Sequence, residues 1–246
     1  MYYIKITFKK IIDTPLTDDE EELLWSYASV LYKNGQVCGE YELVSNDNEF
    51  MVFATIPEKD SLDDKYNNCY ATDYLGKVKE RFNINHEIIG AKMSCLDTCK
   101  CETQEWCMLY AFEGSHESPI CCGNCKKPIP LYKFPVTELS KEHISATSWR
   151  SAYAAVDRLW MYSLSDRFTC KQMSNPVSAL MKVGKELCES YESLTGKPFY
   201  LYLCQRYKTR KLCPVCGGDW KCKDEESVVD YKCDVCKLVS DKSNLV

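Results

Sequence analysis

Hydrophobic residues recur along the first 93 residues with two different periods. A period of two predicts strands, and a period of about 3.6 predicts helices. Apolar residues at helical spacing predict one helix from Thr17 or Asp18 to Asn34 and a second from Ser61 to about Phe82. Segments of period two predict four strands: Tyr2–Phe8, Val37–Val44, Glu49–Ile56 and Glu87–Met93. The resulting order, β-α-β-β-α-β, is typical of the ferredoxin-like fold, in which two helices cover an antiparallel sheet.

The rest of the chain has a different character. Two strands are predicted, at Trp106–Phe112 and Pro198–Tyr207, and the pattern between about Ser140 and Gly196 is helical. One predicted helix face contains Trp149, Tyr153, Val156 and Trp160, and another contains Ala179, Leu180, Val183, Leu187 and Leu194. We therefore predict an α+β protein in three regions: a ferredoxin-like domain over 1–95, a cysteine-rich and helical region over 96–205, and a zinc ribbon over 206–246.

Cysteine is the unusual component of an otherwise ordinary globular composition. The 246 residues are 45% hydrophobic and 27% charged, and they include 17 cysteines but 3 histidines. No apolar run approaches the ~20 residues that cross a bilayer, and the N-terminus lacks the apolar stretch of a signal peptide. We therefore expect a cytoplasmic protein that makes no membrane contact and keeps its thiols reduced, so that clustered cysteines indicate a thiolate-rich metal site.

The C-terminal cysteines form the most specific motif. Two Cys-x-x-Cys pairs, Cys213/Cys216 and Cys233/Cys236, are separated by a segment long enough for a short β-hairpin. Two such knuckles supply four thiolates in a tetrahedron, which is the closed geometry of structural Zn²⁺. The spacing predicts a zinc ribbon that folds around its metal, since a module of this size has little core of its own.

A second site of the same kind is predicted upstream. The pair Cys122/Cys125 is another knuckle, and Cys99 and Cys101 are its proposed partners, which makes two Zn²⁺ ions in all. Spacing alone leaves rival ligands open: Cys95, Cys107, Cys121 and His116. Cysteines elsewhere are expected to be small buried hydrophobic residues: Cys38, Cys69, Cys170, Cys188 and Cys204.

Charge divides the chain into an acidic front and a mildly basic back. Residues 1–98 carry 10 Lys/Arg against 18 Asp/Glu, whereas residues 99–246 carry 21 against 18. Basic residues gather between 206 and 223, with two aromatic residues among them, so this stretch is the candidate nucleic-acid contact. The proposed contacts are Arg206, Lys208, Arg210, Lys211 and Trp220. The alternatives are a solvated charged face and a Trp220 that packs over the zinc knuckle.

Enzymatic activity is not predicted, because thiolate saturates both proposed sites and catalytic zinc needs an open position. The possible partners are DNA or RNA, bound by the basic stretch, or a protein. In the second case the acidic front half would attract a cationic protein such as a nuclease toxin.

Several segments between residues 99 and 240 carry a family resemblance: His116–Cys125, Ser148–Tyr153, Arg167–Ser174, Cys213–Trp220 and Tyr231–Ser240. In their order and spacing they resemble a bacterial family of unknown function described as zinc-ribbon-containing and as candidate nucleic-acid-binding proteins. The resemblance implies that Cys99/Cys101 pairs with Cys122/Cys125. That family is in turn similar to double-CxxCG proteins, some of which are regarded as immunity proteins that neutralise a toxin. This sequence departs from the double-CxxCG pattern, since Lys126 and Lys237 stand where the glycines would be.

Overall fold

The computed structural model describes residues 1–46, 49–93, 95–136, 140–206, 209–224 and 227–242. The chain divides into two compact units. The N-terminal unit comprises residues 1–98, 116–118 and 130–144, and the C-terminal unit comprises the other residues. Among the described residues, no helix combines the length and the apolar composition needed to cross a bilayer.

The N-terminal unit contains a four-stranded antiparallel sheet and two helices. Its elements are β1 (Tyr2–Lys10), α1 (Asp18–Asn34), β2 (Cys38–Ser45), β3 (Glu49–Ile56), α2 (Cys69–Lys79) and β4 (Phe82–Ala91). The strand order β2-β3-β1-β4 confirms the predicted β-α-β-β-α-β arrangement. Alternate residues of β1 and β3 meet apolar residues of α1 in the core, which includes Ile4, Phe8, Leu24, Leu31, Val52 and Ile56.

Helix α1 begins and ends where the sequence predicts. The Thr17 hydroxyl accepts a hydrogen bond from the Glu20 backbone N–H, and the Glu20 carboxylate accepts one from the Thr17 N–H, which makes a capping box. Gly35 ends the helix at a φ of 80°. A Cβ at Gly35 would also lie 2.5 Å from the Leu131 Cβ, so both backbone conformation and packing favour glycine here.

Helix α2 is shorter than the pattern predicts. Residues Asp64–Tyr66 form a single 3₁₀ turn, and α2 begins after Asn68, whose side chain accepts a hydrogen bond from the Ala71 N–H. Asn67 and Asn68 therefore interrupt the run of helically spaced tyrosines. Asn68 caps the start of α2 at a position that the pattern predicts to be inside a helix. Phe82, predicted as the end of the helix, is the first residue of β4, which ends at Ala91.

The C-terminal unit contains a five-stranded mixed sheet and helices α3 (Ile144–Met161), α4 (Asp166–Ser174) and α5 (Ala179–Thr195). The sheet has the order β6-β5-β7-β9-β8. Its strands are short: β5 (Cys107–Leu109), β6 (Ile120–Cys122), β7 (Phe199–Tyr202), β8 (Tyr231–Cys233) and β9 (Leu238–Ser240). Strand β7 pairs in parallel with both β5 and β9. Strands from the regions predicted separately as 96–205 and 206–246 therefore share one sheet, while residues 96–98, 116–118 and 130–144 belong to the N-terminal unit.

Helix α5 buries a different face from the predicted one. The buried residues are Met181, Gly184, Cys188 and Tyr191. Val183, predicted as a core residue, is 47% exposed, and Leu194 is also exposed. The reason is close packing at Gly184, where a Cβ would lie 2.8 Å from the Leu201 Cδ1 and the Trp149 Nε1. Hydrophobic periodicity alone does not reveal that a glycine faces the sheet.

Candidate metal centres

The first cysteine cluster contains Cys99, Cys101, Cys122 and Cys125, whose sulfur atoms all lie within 4.8 Å of one another. Strand β6 positions Cys122, and the Lys126 N–H donates to the Cys122 carbonyl to close the knuckle turn. Cys99 is attached to the same segment, because its N–H donates to the Pro128 carbonyl. The spacing Cys-x-Cys plus Cys-x-x-Cys is thus brought together by the turn that follows β6.

The rivals that the sequence left open lie outside this cluster. Cys107 and Cys121 are buried in β5 and β6. Cys121 belongs to an apolar cluster with Met108 and Tyr200, so its side chain is on the opposite face of β6 from its neighbour Cys122. Of the remaining cysteines expected to be buried, Cys38 and Cys188 are buried and Cys170 and Cys204 are half-buried, but Cys69 is exposed at the start of α2.

An indole ring packs against the Cys122–Cys125 knuckle of the first cluster, a feature that the sequence analysis did not find. A Cβ at Gly123 would lie 2.1 Å from the Trp106 Cδ2, so the Trp106 ring rests directly on the knuckle backbone. The Gly123 N–H also donates to the Trp106 carbonyl. The ring is held in turn by Tyr200, which meets it edge-on at 5.1 Å, and by the Lys232 ammonium, 4.8 Å from its centre. In the sequence, the only sign of this close contact is Gly123 itself, which lies between two cysteines of the cluster.

The second cluster contains Cys213, Cys216, Cys233 and Cys236, also within 4.8 Å of one another. Strand β8 ends at Cys233, and the chain turns back through Cys236 into β9. Around the other knuckle, the Gly217 N–H donates to the Cys213 carbonyl, and the Cys213 N–H donates to the Gly218 carbonyl. Cys213 and Cys233 are buried, Cys236 is half-buried and Cys216 is exposed.

The sulfur separations fit a tetrahedral zinc ion. Zinc–sulfur bonds of about 2.3 Å place the sulfurs of a regular tetrahedron about 3.8 Å apart. The Cys99 and Cys125 sulfurs are 3.6 Å apart, and the Cys216 and Cys233 sulfurs are 3.7 Å apart. Each cluster offers four sulfurs and no carboxylate or imidazole, which is the donor set of a closed structural site.

Backbone N–H groups favour thiolate in both clusters. The Gly218 N–H, followed by the neighbouring thiols, lowers the pKa of Cys216 to about 7. Burial acts to raise the pKa of Cys99, but the Cys101 N–H and the thiols around it lower that pKa overall. Burial raises the pKa of Cys122 and of Cys233. Metal binding to these groups would therefore release protons, because thiolate is the ligand.

The two clusters lie at opposite edges of the five-stranded sheet. Cys122 belongs to the edge strand β6, and Cys233 belongs to the edge strand β8. With strands of three or four residues, the sheet has few ladder hydrogen bonds of its own. A metal ion at each edge would clamp the strand ends that hydrogen bonding leaves weakly held.

The predicted nucleic-acid contacts lie in different environments. The Arg206 guanidinium is paired with Asp157 and stacks on the Trp160 ring, 3.5 Å from its centre. Trp220 is 1% exposed and donates to the Arg210 carbonyl, so it is a core residue of this region. Lys211 is exposed, as are Lys221 and Lys223, and Arg210 is half-buried. Lys208 lies outside the described residues.

A groove in the N-terminal unit combines acidic and apolar residues. It has a volume of about 530 Å³ and is lined by Asp18, Glu21, Glu22, Trp25, Leu43, Ser45 and Phe50. Trp25 is 53% exposed. The acidic residues follow the Thr17 cap in the first turns of α1, where the positive end of the helix dipole favours negative charge.

Three family models, each described as a domain of unknown function, match consecutive parts of the chain. They are DUF8589 over residues 1–89, DUF2310 over 101–204 and DUF8594 over 205–245. An uncharacterized protein of Haemophilus influenzae is 29% identical, covering 99% of this chain and 98% of that protein. A second uncharacterized protein of the same organism is 31% identical, covering 64% of this chain and 81% of that protein.

Two solved structures resemble a little over a third of the chain. SnoaB of Streptomyces nogalater, described as a cofactor-independent oxygenase, is 10% identical with a TM-score of 0.30 and covers 38% of this chain and 96% of its own. Rv0793 of Mycobacterium tuberculosis is 14% identical with a TM-score of 0.28 and covers 37% of this chain and 96% of its own.

Proposed function

We propose that this chain, which belongs to the same family as the 31%-identical uncharacterized protein of Haemophilus influenzae, is a non-enzymatic zinc protein that binds nucleic acid. Two Zn²⁺ ions hold the C-terminal unit together through eight cysteines. The observation that carries the zinc assignment is the pair of all-sulfur clusters with separations of 3.6 and 3.7 Å. Bound there, zinc supplies cross-linking of the chain rather than an open coordination position.

Metal content tests this assignment. We expect two zinc equivalents per chain in native mass spectrometry, and one equivalent in each of Cys122→Ser and Cys213→Ser. Cys69→Ser is the matched control, because Cys69 is an exposed cysteine outside both clusters and should leave two equivalents bound. Two zinc equivalents retained in Cys213→Ser would contradict the assignment of the second site.

Exposed lysines near the second cluster support nucleic-acid binding. Lys211, Lys221 and Lys223 are exposed and can reach phosphates without leaving an ion pair in the core. The assignment of roles within the basic stretch changes accordingly. Because Arg206 is paired with Asp157 and Trp220 is buried, we propose the surface lysines as the contacts in their place.

Fluorescence anisotropy with generic DNA and RNA at low and moderate salt tests the contact. We expect binding that weakens steeply with salt and that is lost when Lys211, Lys221 and Lys223 are all changed to Ala. The control replaces three exposed lysines of the same unit, Lys171, Lys182 and Lys185, and removes the same charge. Equal weakening in both triple variants would indicate a nonspecific charge effect, and absence of binding at low salt would contradict the proposal.

The acidic groove favours a second candidate, a protein partner of opposite charge. Three carboxylates beside an exposed Trp25 fit a Lys- or Arg-bearing segment with an apolar anchor. Such a partner could be a toxin that this protein neutralises. Pull-down from a lysate of the native host, with the wild type and with the Trp25→Ala variant as baits, tests this candidate. We expect a basic protein that the wild type retains and the variant does not.

A further inference from the structure

We propose that the two zinc sites differ in function: the second cluster exchanges its zinc with external ligands, and the first cluster holds its zinc permanently. This inference rests on the proposed function, because it requires zinc at both sites. It adds an assignment that the cysteine pattern alone does not make, since both sites offer the same four-sulfur donor set.

The first cluster is less accessible than the second, because none of its four cysteines is exposed. Cys122 is fully buried, Cys99 is 8% exposed, and Cys101 and Cys125 are half-buried. The Trp106 ring lies on the Gly123 backbone between Cys122 and Cys125, so on this side of the knuckle a donor atom meets the indole. Tyr200 and Lys232 hold that indole in place, which makes its displacement costly.

The second cluster is open on one side. Cys216 is an exposed ligand, and Val215 and Val235, each directly before the second cysteine of its knuckle, are 58% and 84% exposed. Within the described part of the chain, a Cβ at Gly217 would meet no atom within 4 Å, and one at Gly218 would meet only the Cys216 sulfur at 3.5 Å. Among the described residues, no aromatic ring lies within 4 Å of a Cβ built at Gly217 or Gly218, whereas the Trp106 ring contacts Gly123 of the first knuckle.

With zinc bound, Cys216 would be the ligand that an incoming donor replaces. The bond from zinc to the Cys216 sulfur would break as a bond to the new donor formed, and the released thiolate would take up a proton from solvent. No electron transfer is involved, so the exchange needs only a competing thiol or chelator. Loss of this zinc would loosen β8, which pairs with β9 and is otherwise bridged by residues 220–222 of the same zinc-bound segment.

The kinetics of zinc release test the inference. The intact chain, loaded with two zinc equivalents, is mixed with excess 4-(2-pyridylazo)resorcinol, whose absorbance reports captured zinc. We expect two phases of one equivalent each, the faster at least tenfold faster than the slower. N-ethylmaleimide labelling with peptide mapping during the reaction should modify Cys213, Cys216, Cys233 and Cys236 before the cysteines of the first cluster.

A variant of the cover makes the test specific. Trp106→Ala should accelerate the slow phase at least tenfold and leave the fast phase unchanged, whereas Trp25→Ala, at an exposed indole of the N-terminal unit, should change neither. Release of both equivalents at one rate in the wild type, or labelling of the first cluster first, would overturn the inference. A preparation that binds fewer than two zinc ions would instead overturn the proposed function on which it rests.

Discussion

Lys126 and Lys237 occupy equivalent positions in the two clusters, each directly after the second cysteine of a knuckle and each in the left-handed backbone region. Their φ angles are 59° and 54°, and Gly217 takes the same place after Cys216 with a φ of 70°. Three knuckles thus turn through one left-handed residue, which glycine adopts without strain and lysine does not. The glycine of a CxxCG motif therefore corresponds to this left-handed position, which Lys126 and Lys237 occupy in the present sequence.

The lysine side chains supply contacts that glycine could not. Lys126 forms an ion pair with Asp241, and its ammonium lies 5.5 and 5.6 Å from the centres of the Tyr110 and Tyr202 rings. Lys237 lies over the Tyr200 ring at 5.1 Å. Lys237 also forms an ion pair with Glu192.

Backbone strain at these lysines can be separated from their contacts by paired variants. At position 126 or 237, both Gly and Ala remove the ammonium, but only Gly also relieves the left-handed φ. We expect each Gly variant to be more stable than its Ala counterpart by about 1 kcal/mol in denaturant unfolding of zinc-loaded protein. Gly217→Ala should lose a similar amount. Equal stabilities of the Gly and Ala variants would contradict the equivalence of the three turns.

Packing at Gly184 predicts a large cost for a single methyl group. Gly184→Ala places a Cβ 2.8 Å from Leu201 and Trp149, so we expect a loss of about 1–3 kcal/mol in the free energy of unfolding. Gly76→Ala is the matched control in the interior of α2, where a Cβ would meet nothing within 4 Å in the described structure. It should stabilise by up to about 1 kcal/mol through helix propensity. Two changes of the same sign would contradict this account of α5.

The pairing of Arg206 with Asp157 predicts a structural role for an arginine that the sequence assigned to nucleic acid. Both side chains are largely buried, at 17% and 7% exposure, so Asp157→Ala leaves an uncompensated charge and should cost about 3 kcal/mol. Arg158→Ala breaks a more exposed pair with Glu113 and should cost under about 1 kcal/mol. Thermal unfolding measures both. If the two losses were alike, Arg206 would not be held as described.

Local patterns predicted more of this protein than its long-range pairings. The period of two placed β3 at Glu49–Ile56 as observed, and the Thr17 and Gly35 signals bounded α1. The spacing of the four C-terminal cysteines also identified the second cluster, whereas for the first cluster spacing left rival ligands open and the family resemblance favoured the observed set. Asp157, in contrast, meets Arg206 across 49 positions, and no periodicity encodes that contact. The sequence also did not predict that one sheet joins β5, β6 and β7 to β8 and β9. These pairings are long-range, and strands of three or four residues show almost no hydrophobic period.

His143 predicts how stability depends on pH. Burial lowers its pKa from about 6.5 to about 4, against the opposite effect of a hydrogen bond with the Phe134 backbone. Between pH 6.5 and 4, His143 binds a proton in the unfolded chain but stays neutral in the folded chain, and this protonation favours unfolding. The contribution of His143 to the free energy of unfolding is therefore complete above pH 6.5 and is lost as pH falls toward 4. Compared with His143→Gln at saturating zinc, the wild type should lose about 1.4 kcal/mol more between pH 7.5 and 5.5. Chemical denaturation at the two pH values measures this difference, since other groups titrate alike in both proteins. Parallel losses would show that the imidazole is protonated within the folded unit.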